Sequence, residues 1–143
     1  MPDGAPFGLR TVEGRQPVVA LAIDNPASAM IAATLVEQFG CRALAAAGGE
    51  PVIQLVMRDS AIDLVIVDLA LRAMDGIAAA ELIHAVGGRR EIPIVALADR
   101  RSDLAGRGRA AGFASTVMKP FSPRELYAAL RAALVRSRVR ALS

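Results

Sequence analysis

At 143 residues, with 54% hydrophobic and 22% charged residues, the chain suits one globular domain with its own core and is too short for two of ordinary size. A net charge of +3 with only 3% aromatic residues gives no argument for a nucleic-acid partner, and no apolar run approaches the ~20 residues of a membrane-crossing helix. Cys41 is the only cysteine and His84 the only histidine, which excludes an internal disulfide and argues against a Cys/His zinc site; Cys41 reads as a small buried hydrophobe and His84 as a surface helix residue.

Residues 1–16 carry Pro2, Gly4, Pro6, Gly8 and Gly14 without a sustained period and lack the apolar centre of a signal peptide. They read as a flexible leader on a cytoplasmic protein, with order expected from Pro17. The run from Val18 to Ile23 is continuously apolar between turn formers, the pattern of a parallel strand covered on both faces. Asn25 is a good N-cap and Pro26 a good first residue for a helix carrying Met30, Leu35, Val36 and Phe39, which Gly40 ends. The unit then repeats. Arg42 to Ala46 is a short strand, Gly48-Gly49 a turn and Glu50 to Arg58 a helix. Asp63-Leu-Val-Ile-Val-Asp68 gives the strongest strand signal, large aliphatics between two acids. A helix from Ile77 to Val86, stopped by Gly87-Gly88, is followed by a strand from Pro93 to Leu97. The helix near Leu104 to Ala111 is weakened by Gly106 and Gly108, at ~1 kcal/mol each relative to alanine. Ser115 to Met118 is the fifth strand. Ser122 and Glu125 form a capping box, with Pro123 at the first turn, for a last helix through Leu126, Leu130, Ala133 and Leu134. Alternation of this kind predicts a single doubly wound, flavodoxin-like α/β domain, (βα)5, with a five-stranded parallel sheet of order 2-1-3-4-5. Its predicted extent is 17–136, with 137–143 a basic C-terminal tail.

In such sheets ligands bind beyond the carboxyl ends of the strands, where strand order reverses. Three strand ends carry charges there: Asp24, Asp68 and Lys119. Two carboxylates suit a hard divalent cation and an ammonium can neutralise a phosphoryl group, which together equip the chain to move a phosphoryl group onto a carboxylate. A Gly-rich phosphate loop of the nucleotide-hydrolase type is missing from the sequence.

From Pro17 to about Val135 the chain resembles the chemotaxis-type receiver domains of two-component response regulators and hybrid kinases. The resemblance rests on Asp24-Asn25-Pro26, the strand ending in Asp68, Met74-Asp75-Gly76, Pro93-Ile-Val-Ala-Leu97, Ala111-Gly112-Phe113, and Lys119-Pro120-Phe121 followed by Leu126. It implies that Asp68 is the phosphoacceptor, Lys119 the phosphoryl-binding lysine before a cis peptide to Pro120, and Met74-Asp75-Gly76 the turn that opens the third helix. It also implies a weakly held Mg²⁺ on Asp24, Asp68 and the backbone carbonyl of Ala70. Departures from the family are specific. Ile23 stands where a second acid is usual, Ala98 in place of a Thr or Ser, Thr116 in place of an aromatic ring, and Leu71-Arg72 in place of Met-Pro. Asp99, next to Ala98, adds a negative charge near the pocket mouth, with two readings open: repulsion of a phosphoryl group, or a substitute ligand.

Two functions follow. One is a receiver, not an enzyme, that accepts a phosphoryl group on Asp68 from a histidine kinase or phosphotransfer protein. The other is a phosphorylation-independent pseudo-receiver that serves as a docking module. No output domain follows Arg140 in this sequence, so output is expected through a downstream protein on the face made by the fourth helix, fifth strand and last helix; a homodimer is compatible with either reading. A membrane partner is not expected, and the five arginines from Arg124 onward, against the single acid Glu125, read as a solvated helix end rather than a nucleic-acid surface.

Overall fold

The computed structural model describes residues 8–59, 61–71, 74–86, 92–102 and 111–142, with side chains described as far as residue 135. In chain order these form β1 (Val18–Ala22), α1 (Pro26–Gln38), β2 (Arg42–Ala46), α2 (Gly49–Arg58), β3 (Leu64–Asp68), α3 (Gly76–Val86), β4 (Ile94–Ala98), β5 (Ser115–Met118) and α4 (Pro123–Leu142). The helix expected near 104–111 lies, but for Ala111, outside the described residues, as do Arg72, the Gly87-Gly88 stop and the first seven residues.

All strand pairs are parallel, in the order β2-β1-β3-β4-β5. The alternation of side chains along each strand splits the core in two. Val19, Leu21, Leu64, Ile66, Val95, Leu97 and Val117 pack with Val36 of α1 and Leu126 and Leu130 of α4. Val18, Ala20, Ala22, Val65, Val67 and Ile94 pack with Val52 and Val56 of α2 and Ile77 and Ile83 of α3. Residues of β1, β3 and β4 are buried throughout, which is why those segments read as unbroken apolar runs.

The local signals act as their chemistry requires. Asn25 Oδ1 accepts from the Ser28 N–H at 2.9 Å, with Pro26 opening α1. Ser122 and Glu125 close a reciprocal box, with Glu125 N–H donating to Ser122 Oγ at 3.2 Å and Ser122 N–H to Glu125 Oε1 at 2.9 Å. Gly40, at φ +91°, takes the left-handed conformation that ends α1.

Three boundaries differ from expectation. Gly49 is the first residue of α2 and not a turn residue. The helix expected to give way to a tail at residue 137 continues to Leu142, in a segment of Ser, Arg, Val, Ala and Leu with no Gly or Pro to stop it. Most consequentially, the supposed flexible leader is not free over 8–16. Leu9 is buried in the α1/α4 core, and its N–H donates to the Phe39 carbonyl at 2.8 Å. Arg15 grips Asp63 through two hydrogen bonds, of 2.6 and 3.1 Å. This strap crosses the amino-terminal end of the sheet, and its anchors are tertiary partners that no local sequence pattern announces.

Candidate functional site

Strand order reverses between β1 and β3, and the charged residues gather at that end of the sheet. Asp68 ends β3. At 8% exposure it is the one buried polar or charged residue among the described residues. An isolated carboxylate in such a place would be costly, so its partners define it. Lys119 Nζ donates to both carboxylate oxygens, at 2.9 and 3.1 Å, and the Ala70 N–H donates to Oδ1 at 2.9 Å.

The reach of Lys119 follows from the sheet. Neighbouring strands lie about 4.8 Å apart, so β5 is about 10 Å from β3, and only a long side chain crosses the end of β4 to arrive at Asp68. The Lys119 N–H extends the β4–β5 ladder by donating to the Ala98 carbonyl at 2.8 Å, which fixes where that side chain starts. The Lys119-Pro120 peptide is cis. Lys119 and Asp68 are 31% and 12% exposed at the side chain, so the pair is shielded and still open on one side.

Asp24 lies two residues beyond β1, whose Ala22 is in register with Val67, next to Asp68. It is partly exposed. Asp24, Asp68 and the Ala70 carbonyl present oxygen donors only, the chemistry a hard cation requires. No group of three or more His, Cys, Asp or Glu placed to hold a metal occurs among the described residues. Two carboxylates and a carbonyl fit Mg²⁺ nonetheless, because that ion keeps several waters and takes one or two carboxylates.

Of the positions that depart from the family pattern, Ile23, Leu71 and Ala98 are alkyl and Thr116 is exposed, while Arg72 lies outside the described residues. Ile23 is 2% exposed and packs in the α1/α4 core, so it is a core residue at the edge of the site. Ala98 is buried and Thr116 exposed. Two further residues shape the site: Gly76, whose part in it the sequence did not show, and Asp99, already expected near the pocket mouth. Gly76 opens α3 against the backbone after Asp68, where an added Cβ would lie 2.5 Å from Leu69 Cα and 2.8 Å from the Asp68 carbonyl oxygen. Only glycine allows that approach; the Asp75-Gly76 pair signalled a turn but not this contact. Asp99 forms a tight turn with Arg101 and Ser102 at the end of β4.

The model of the response regulator receiver domain family matches residues 19–131, and the chain belongs to that family. It is 34% identical over 124 residues to the sensor protein GacS of Pseudomonas syringae pv. syringae, over 80% of this chain and 13% of GacS. The chain therefore spans a small part of the length of that relative. Among solved structures it is similar to the receiver domain of the sensor histidine kinase PA1611 from Pseudomonas aeruginosa PAO1, with a magnesium ion coordinated in the active-site cleft. The TM-score is 0.75 at 26% identity, covering 84% of this chain and 98% of that one. The Vibrio cholerae chemotaxis protein CheY4 shares the fold, with a TM-score of 0.75 at 19% identity over 82% and 98% of the two chains.

Proposed function

We propose that this receiver domain accepts a phosphoryl group on Asp68 from a histidine kinase or phosphotransfer protein and signals through protein contacts. The observation that carries this reading is the closure of Lys119 Nζ on both oxygens of the buried Asp68 carboxylate. One carboxylate oxygen attacks phosphorus while the bond from phosphorus to the donor nitrogen or oxygen breaks, its electron pair leaving with the donor. Lys119 offsets the repulsion between carboxylate and phosphoryl group, and the Ala70 N–H orients the nucleophile. Asp24, Asp68 and the Ala70 carbonyl would hold Mg²⁺, which when bound supplies further positive charge to the phosphoryl oxygens. The PA1611 receiver, with its magnesium, supports that assignment. With Ile23 in place of an acid, the ion is held weakly.

Signalling is expected in the cytoplasm, with no membrane or nucleic-acid partner. Its output surface includes β5 and α4, where Thr116, Met118, Ala128 and Ala132 line an open groove of about 520 Å³. A second reading, the phosphorylation-independent docking module, is favoured by Ala98, which has no hydroxyl to hold a phosphoryl oxygen and so lacks one differential contact of a switch.

Intact mass after incubation with Mg²⁺ and acetyl phosphate separates the two. Gain of one phosphoryl unit by the wild type and not by Asp68→Asn supports the acceptor reading. No gain by the wild type supports the docking module, and equal gain by both excludes Asp68.

A further inference from the structure

Lys119 pairs with Asp68, and a second carboxylate, Asp99, stands on the neighbouring strand end. The Lys119 backbone N–H on the Ala98 carbonyl brings the next residue of that strand end, Asp99, alongside it. Asp99 is held in place. Its Oδ1 accepts from the Arg101 N–H at 2.8 Å and from the Ser102 hydroxyl at 3.5 Å, while its own N–H donates to Ser102 Oγ at 3.1 Å. The Arg101 guanidinium, 3.9 Å away and 93% exposed, is a poor competitor for that charge. The Arg101 N–H foremost, with the Arg101 and Lys119 charges also contributing, keeps the Asp99 carboxyl below the usual carboxylate range. Asp99 thus carries a fixed negative charge at neutral pH.

We propose, building on the phosphoryl-accepting reading, that Asp99 is a positioning and specificity-determining residue: its carboxylate, on the strand end beside Lys119, reduces the positive charge offered to an incoming phosphoryl group. A free dianionic phosphodonor meets this charge with no contacts elsewhere on the protein to compensate it. A phosphohistidine carried on a protein brings docking energy from remote contacts, which compensates. Asp99 therefore selects protein donors over small acyl phosphates.

Asp99→Asn removes the charge and keeps the Oδ1 acceptor for the Arg101 N–H. Two measurements on the full chain test it. In the first, inorganic phosphate is titrated and the Ala70 and Lys119 amide resonances followed; the variant is expected to bind about fivefold more tightly at low ionic strength, with the difference shrinking at high salt. In the second, phosphorylation by acetyl phosphate is expected to speed up by a similar factor, and by less with the monoanionic donor phosphoramidate. A loosened turn would show no such dependence on salt or donor charge. Tighter phosphate binding with no covalent mass gain in either chain supports the role of Asp99 and defeats the phosphoryl-accepting reading. Unchanged phosphate affinity beside normal phosphorylation of Asp68 does the reverse. A gain equal at all salt concentrations and for both donors also overturns the proposal.

Discussion

Strand β3 follows one aspartate and ends on another, and each meets a cation, yet the two ends of the strand are built for different work. At the amino end Asp63 takes two hydrogen bonds from the planar guanidinium of Arg15 and a third from the Val18 N–H at 2.8 Å. That fork allows one geometry, and it ties the strap to the sheet. At the carboxyl end Asp68 meets the ammonium of Lys119, a point charge on a flexible stem that can follow an anion as it changes shape. On the proposed reading, the kind of cation, more than the presence of an ion pair, separates a clasp from a phosphoryl-accepting site.

The largest expected effect probes the reactive end. Ile23→Asp places a carboxylate in the α1/α4 core and is expected to cost about 3 kcal/mol without metal. Millimolar Mg²⁺ should restore at least part of that in thermal melts, because a third carboxylate then borders the metal site. A melting temperature indifferent to Mg²⁺ would place residue 23 away from the ion.

Gly76→Ala is next. The Cβ cannot fit beside Leu69 Cα without backbone movement, so a loss of about 1 to 3 kcal/mol is expected, with slower phosphorylation since Asp68 moves too. A variant of wild-type stability and rate would mean that α3 and the acceptor loop are not coupled.

At the clasp, Asp63→Ala leaves the part-buried Val18 N–H without its side-chain acceptor and frees Arg15, for an expected loss of about 1 to 2 kcal/mol by denaturant titration. Asp68→Asn should change stability by less than about 1 kcal/mol, because Lys119 is open enough to be solvated. If the two losses came out equal, the distinction between clasp and site would fail.

The smallest effect concerns Cys41, at the clasp end. Burial, followed by smaller opposed effects of the Arg10 and Asp63 charges, pushes its thiol from 9.0 up to about 12. An unfolded chain releases that proton near pH 9 while the folded chain keeps it. Stability is therefore full below pH 9 and falls as pH rises towards 12, by roughly 1.4 kcal/mol per unit at most. Cys41→Ala should flatten the slope between pH 9 and 10.5, and an unchanged slope would assign it to other groups.

How far the sequence could be read follows from the range of each signal. Strands β1, β3 and β4, the Asn25 cap and the Ser122/Glu125 box are legible because their determinants sit within a few residues of one another. Asp68 and Lys119, 51 positions apart, were paired by the topology, which places strand ends together, and by the family resemblance. Leu9 and Arg15 were not legible: glycines and prolines around them signal a loop correctly, but their partners Phe39 and Asp63 lie far along the chain. Gly76 was read as a turn residue because sequence carries conformational preference and not the proximity of another backbone.

The central claim, that the carboxyl end of β3 is the reactive one, is tested most directly by setting the two aspartates against each other. Wild type, Asp63→Asn and Asp68→Asn are incubated with Mg²⁺ and acetyl phosphate, and the modified residue is located by fragment mass spectrometry. The expected result is one phosphoryl unit on Asp68 in the wild type and in Asp63→Asn, and none in Asp68→Asn. Phosphorylation surviving in Asp68→Asn, or absent from a folded wild type, would contradict it.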